Sequence, residues 1–287
     1  MIKGGAQYLF IFSLVFMLAC QTEIKISEDA DTNDKGEITD SFGVQYHYEN
    51  EFSDSEQLKL EIWMDEVYAA TQATLGSCPF DVQVHFFASK HSSRPVSFGL
   101  AKRKDGINSV SLYVDPTASL EDLLADWTAP HELSHLSIPF LGKSSKWFSE
   151  GYATFLSRQI MMDMGYYTQE SFDSLYTTRI KEAASDYASD ELTFIERSNE
   201  LAANHQYSSM YWGSASFLFV IDKRLRAEQD KRFTDILIDY QVCCRLEDRN
   251  LKDVIQSFDQ LIGDSWCNDL MAIYRNKSAN EALKSFQ

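Results

Sequence analysis

The sequence predicts an α+β fold in which a small mixed β/α lobe is followed by a mainly helical lobe. Three observations carry that expectation. Strict apolar/polar alternation is confined to residues 80–114, apolar residues recur at helical spacing from Ser119 to Gly263, and the boundary between the two lobes falls near residue 130. The composition is that of a folded chain: 44% of the 287 residues are hydrophobic and 13% aromatic, which excludes disorder throughout. With 43 acidic against 26 basic side chains and a net charge of −17, the chain lacks the basic stripes needed to displace counterions from phosphates. A nucleic-acid partner is therefore not expected. Only one long apolar run occurs, which argues against a multi-span membrane protein.

That run opens the chain. In MIKGGAQYLFIFSLVFMLAC, Lys3 supplies a positive start and Tyr8 to Leu18 an apolar stretch, so residues 1–19 read as a secretory signal. Its ending, Met-Leu-Ala-Cys, resembles a bacterial lipobox, which implies lipidation of Cys20. The alternative is an ordinary signal peptide or an anchor helix. Residues 20–40 carry seven carboxylates and no aromatic residue. They cannot bury enough apolar area to offset their ordering entropy and read as an acidic flexible tether. A lipid on Cys20 then holds the protein at a membrane, in the bacterial cell envelope, on the outer membrane facing the periplasm.

Residues 41–287 read as one bilobal domain, with an α+β lobe over 41–129 and a helical lobe over 130–287. Ser53, with Glu56 three residues on, begins a helix that Gly76 ends. Phe80 to Phe87 alternates as a strand, and residues 96–102 and 109–114 form two more, joined as a hairpin through Lys104-Asp105-Gly106. His85, among alternating residues, reads as a packed or edge histidine. Helical spacing then covers segments near 119–138, 150–164, 169–187, 208–229, 231–242 and 250–262, the last opening in capping style at Asn250 and Asp253.

The chemistry sits where the two patterns meet. Residues 131–135 read His-Glu-Leu-Ser-His. On a helix, positions i and i+4 share a face, so His131 and His135 can hold one metal ion while Glu132 stands beside it, able to reach a water without being a ligand. A zinc hydrolase needs this set: two neutral nitrogen ligands, a carboxylate base and a gap for substrate. A third ligand is expected from Glu150, in the first turn of a second helix starting near Ser149, after a loop at Gly142 to Ser145. Pro130 directly before His131 requires a kink, or a restart with Thr128 as cap and Pro130 in the first turn. Trp147 and Phe148 read as core aromatics.

HELSH followed by WFSEGYATFL resembles the gluzincin metallopeptidases, most closely the M61-like, glycyl aminopeptidase-like branch of the peptidase MA superfamily. The resemblance continues in Tyr211-Trp212-Gly213-Ser214-Ala215 and covers about residues 95–275. It implies a thermolysin-like zincin fold with the active-site helix between the lobes, and one Zn²⁺ per chain held by His131, His135 and Glu150. It also implies Glu132 as general base and Tyr211, or Tyr207, as the oxyanion donor. The partner it implies is a peptide or unfolded protein. Ser97-Phe98-Gly99-Leu100 is the edge strand along which such a peptide would pair, so Phe98 and Gly99 are candidate substrate contacts.

Three departures stand beside the match. There is no room for the β and PDZ domains usual in M61 enzymes. Thr154 stands where thermolysin-like enzymes often carry an acid four residues after the third ligand. No GxMEN-type motif for a free amino terminus occurs. Amino- and endopeptidase action both stay open, as does a lipoprotein that uses the fold for binding or assembly. Four cysteines remain beyond Cys20. Cys243 and Cys244 are adjacent, so one can bridge to Cys267 and the other to Cys78, among three possible pairings.

Overall fold

A computed structural model describes residues 43–284 apart from 50, 90–92 and 105. The signal segment, Cys20, the tether and the rest of residues 1–42 lie outside the described residues. The first element is a strand missed by the sequence reading, β1 (Val44–Tyr48). The helix α1 (Asp54–Leu75) follows, with Ser53 and Glu56 forming the expected capping box and Gly76 closing it at φ +89°. Next come β2 (Val82–Ala88), β3 (Val96–Lys104) and β4 (Ile107–Val114). β1 and β2 run parallel, as do β2 and β4, while β3 is antiparallel to β4, so the sheet order is β1-β2-β4-β3 with β3 at an edge. His85 stacks on His47 at 4.6 Å and lies 2.6 Å from Glu49. It sits on β2, between β1 and β4, as a half-buried packed histidine rather than an edge one.

The helix expected over 119–138 is two helices, α2 (Leu120–Ala125) and α3 (Thr128–Leu136). Asp126 is extended at φ −82°, ψ 130°, and its buried carboxylate accepts the Thr128 N–H at 2.7 Å. That capping restarts the chain as a new helix, and Pro130 falls in the first turn of α3, where its missing N–H costs nothing. A 3₁₀ turn, Lys143–Ser145, then runs straight into α4 (Lys146–Asp163). The expected start near Ser149 is corrected to Lys146, and Glu150 lies in the second turn rather than the first.

The remaining helices are α5 (Gln169–Ala184), α6 (Phe194–Ala203), α7 (Tyr207–Gln229), α8 (Phe233–Cys243), α9 (Leu251–Ile262), α10 (Trp266–Asn276) and α11 (Ala279–Lys284). The sequence reading lacked α6, α10 and α11. Asn250 caps α9 as expected, accepting from Lys252 and Asp253.

Two apolar cores result. One lies between the sheet, α1 and the sheet-facing side of α3 (Ala129, Leu133, Leu136), the other among the helices from Trp147 onward. Trp147 and Phe148 are buried in the second, as core aromatics. The helix α3 therefore lies where the sheet lobe meets the helical lobe. The disulfide is corrected: Cys243 bonds to its neighbour Cys244, while Cys78 and Cys267 are free thiols buried in different cores. No described helix is long and apolar enough to cross a membrane.

Candidate active site

Helices α3 and α4 bring His131, His135 and Glu150 together. Glu150 Oε2 lies 3.3 Å from His131 Nε2 and 3.6 Å from His135 Nε2, and one ligand atom from each residue falls within 4.8 Å of the others. The two imidazoles stand at 89° with centroids 4.9 Å apart, so they converge rather than stack. Ligands of a tetrahedral zinc at about 2.1 Å lie about 3.4 Å from one another, so this donor set fits one zinc ion.

Burial and charge set the protonation states the site requires. Burial pushes His135 down to about 4, leaving it neutral with a free lone pair. Burial alone would raise Glu150, but its hydrogen bonds to the two histidines outweigh this and hold it well below the usual carboxylate range. Burial pushes Glu132 up to about 7, against the lowering effect of His131. A carboxyl poised there exchanges protons near neutrality.

Glu132 is held by the edge strand. It accepts a hydrogen bond from the Ala101 N–H. A Cβ on Gly99 would come within 2.5 Å of Glu132 Cγ and 2.9 Å of Thr128 Cγ2. Only glycine lets β3 approach α3 so closely. Phe98, Gly99, Leu100 and Ala101 line a cavity of about 330 Å³ together with the two histidines, Glu132, Glu150 and Tyr211. Phe98 and Leu100 are 56% and 55% exposed, so the strand lies open along the cavity. Tyr211 reaches in from α7, with its ring 5.9 Å from that of His131 and its hydroxyl bonded to Glu150. Burial and the two nearby carboxylates keep that hydroxyl protonated. Tyr207 is directed elsewhere, with its hydroxyl 3.1 Å from His205 Nδ1 and its ring under Lys146.

Several residues that support the site escaped the sequence reading. Arg103, on the same face of β3 as Gly99 and Ala101, is partly buried, and desolvation lowers it to about 10. One of its nitrogens (Nη1) donates to the carbonyls of His135, Ile138 and Pro139, and the other (Nη2) to Ser149 Oγ at 3.3 Å. Ser149 Oγ in turn lies 3.4 Å from His135 Nδ1, orienting that ring from behind. Two side chains from far along the chain hold the same end of α3: Arg245 donates to the Leu136 carbonyl at 2.8 Å and Gln241 to the Ser137 carbonyl at 2.9 Å. The period-2 register of Gly99, Ala101 and Arg103 was the available signal for the first. Nothing local marks Gln241 or Arg245. At the expected acid position, Thr154 is buried, and its Oγ1 and the Nδ1 of His131 both lack a hydrogen-bond partner among the described residues.

No protein-family profile matches the chain, and no curated protein matches its sequence. Among solved structures, it is similar to an M1 zinc metallopeptidase from Deinococcus radiodurans, with 14% identity, a TM-score of 0.46, and coverage of 81% of this chain and 48% of that one. A mutant of that enzyme bound to a Tyr-Ser-Ala substrate gives 15% identity, a TM-score of 0.45, and coverage of 80% and 46%. The chain spans about half the length of these structures. At such scores no part of the functional reading rests on them.

Proposed function

We propose that this protein is a zinc-dependent peptidase of the gluzincin type. The observation that carries this reading is the convergence of His131, His135 and Glu150 in an open cavity, with buried Glu132 beside them and an exposed edge strand along one wall. When bound, Zn²⁺ supplies Lewis-acid polarisation of a carbonyl oxygen and of the attacking water. The rest is done by the chain's own residues. The free edge of β3 at Phe98 to Leu100 pairs with an extended peptide backbone and sets the scissile bond beside α3. Glu132 takes a proton from the attacking water as its oxygen bonds to the carbonyl carbon. It returns that proton to the departing nitrogen as the C–N bond breaks. The Tyr211 hydroxyl donates to the oxyanion.

The M61-like affiliation, the signal over 1–19, the lipid on Cys20, the tether over 20–40 and a place in the bacterial envelope belong to the same proposal, supported by the motifs that suggested them. Loss of lipid labelling in Cys20→Ala tests the anchor.

The peptidase reading is tested by elemental analysis and peptide cleavage together. Purified protein should carry about one zinc per chain. Glu132→Gln should keep the zinc and lose cleavage by about 10³-fold or more. Wild-type protein with zinc but no Glu132-dependent cleavage of a broad peptide library would make this a binding protein, and protein without zinc would remove the metal from the proposal.

A further inference from the structure

Beside the proposed catalytic cavity lies a second one of about 340 Å³, sharing Tyr211 with it and lined by Trp127, Arg158, Arg179, Ser208 and Trp212. The Trp127 ring meets that of His131 edge-on at 5.1 Å, so this cavity begins one side chain away from the zinc ligands. Its charges are of one sign. Arg158 lies 5.2 Å over Trp127 and Arg179 5.8 Å over Trp212, and no acidic residue lines the wall.

Arg158 is the unusual member. It is partly buried, its Nη1 donates to the Tyr167 hydroxyl at 3.0 Å, and its Nε is buried without a partner. It forms no ion pair among the described residues, although the chain carries an excess of carboxylates. Arg94, the other guanidinium against Trp127, shows the usual arrangement, with Asp126 at 3.5 Å. A partly buried cation on an aromatic wall without a counter-charge is the arrangement that an incoming anion completes. Arg179 pairs with Glu182 on an exposed face, where water competes, and can turn toward a ligand at little cost.

We infer that this cavity is a subsite for a carboxylate of the peptide, an Asp or Glu side chain or the C-terminal carboxylate, held by Arg158 and Arg179 between Trp127 and Trp212. The inference rests on the peptidase reading for the identity of its ligand as a peptide. It also gives that reading a direction. The two cavities together offer a free α-amine no carboxylate beyond Glu132 and Glu150, so the recognised charge is negative.

The test uses a dansyl-labelled hexapeptide series in which one Glu or Gln moves through each position, with and without a C-terminal amide. Binding is measured by anisotropy on zinc-loaded Glu132→Gln protein, and cleavage on wild type. At one or two positions the carboxylate peptide should bind at least about tenfold more tightly than its neutral partner. That ratio should collapse in Arg158→Gln and fall in the exposed Arg179→Ala, and Arg158→Lys should restore part of it. Removing the same charge at Lys252 should leave it in place. Equal binding of Glu and Gln peptides overturns the subsite, as does a preference that survives both arginine substitutions. Arginine-dependent binding of acidic peptides without cleavage of any peptide would overturn the peptidase reading and leave the subsite standing.

Discussion

At the scale of single residues, the site depends on atoms that are absent as well as present. The space a Cβ at Gly99 would need is filled by the Glu132 side chain, so Gly99→Ala should push the carboxylate aside. We expect about a 100-fold loss in kcat/KM for peptide cleavage, with zinc content retained and stability lowered by about 1–3 kcal/mol. Arg103 acts at the other end of the same strand face. Replacing it by Gln leaves several carbonyls at the end of α3 and the Ser149 hydroxyl without their donor. Zinc affinity, measured by chelator competition, should fall about 10- to 100-fold. The buried thiols make a separate prediction. Burial pushes Cys78 up to about 11 and holds Cys267 well above the ordinary thiol range. Peptide mapping should therefore find both unalkylated by iodoacetamide at pH 8 in folded protein and modified on unfolding. The proposed zinc ligands and base were legible in the sequence because each lies within a contiguous block and the i, i+4 spacing alone puts the histidines on one face. Arg103 was not, since its role depends on which face of β3 meets α3.

At the scale of elements, close helix crossings decide where Tyr211 goes. A Cβ on Gly151 of α4 would come within 2.6 Å of the Ser214 carbonyl oxygen on α7, and one on Gly213 would meet the ring of Tyr187 at 2.3 Å. The two glycines let α7 settle against its neighbours, and Tyr211 then overhangs Glu150. In Gly151→Ala, α7 must move outward. Cleavage should fall while zinc binding persists, and thermal unfolding should show a loss of about 1–3 kcal/mol. The elements that could be read from sequence were those with local punctuation: the Ser53 capping box, Gly76, and the hairpin around Gly106. The strand β1 was missed because five residues after an acidic stretch carry too little pattern, and α10 and α11 because their burial comes from packing on α6, α7 and α9. The break at Asp126 illustrates the reverse case. Continuous helical spacing hid it, and only the side chain's capping bond to Thr128 explains it.

At the scale of the whole molecule, the proposed zinc ligands come from α3, packed on the sheet core, and α4, within the helical core. A metal ion bound there ties the two cores together. Chelation should therefore lower the melting temperature by about 10 °C in calorimetry, and Glu150→Ala should abolish the difference between loaded and chelated protein. The α+β order was legible from periodicity because the chain keeps its strands and later helices in separate stretches, whereas the long-range ties between them leave no periodic trace. One of those ties sets an order of events. The helix bearing both histidines ends at Leu136, yet its carbonyl end is held by Gln241 and Arg245, more than a hundred residues later. A nascent chain carries its histidine motif long before it can hold that motif in this geometry, which arrives only once Gln241 and Arg245 have been made.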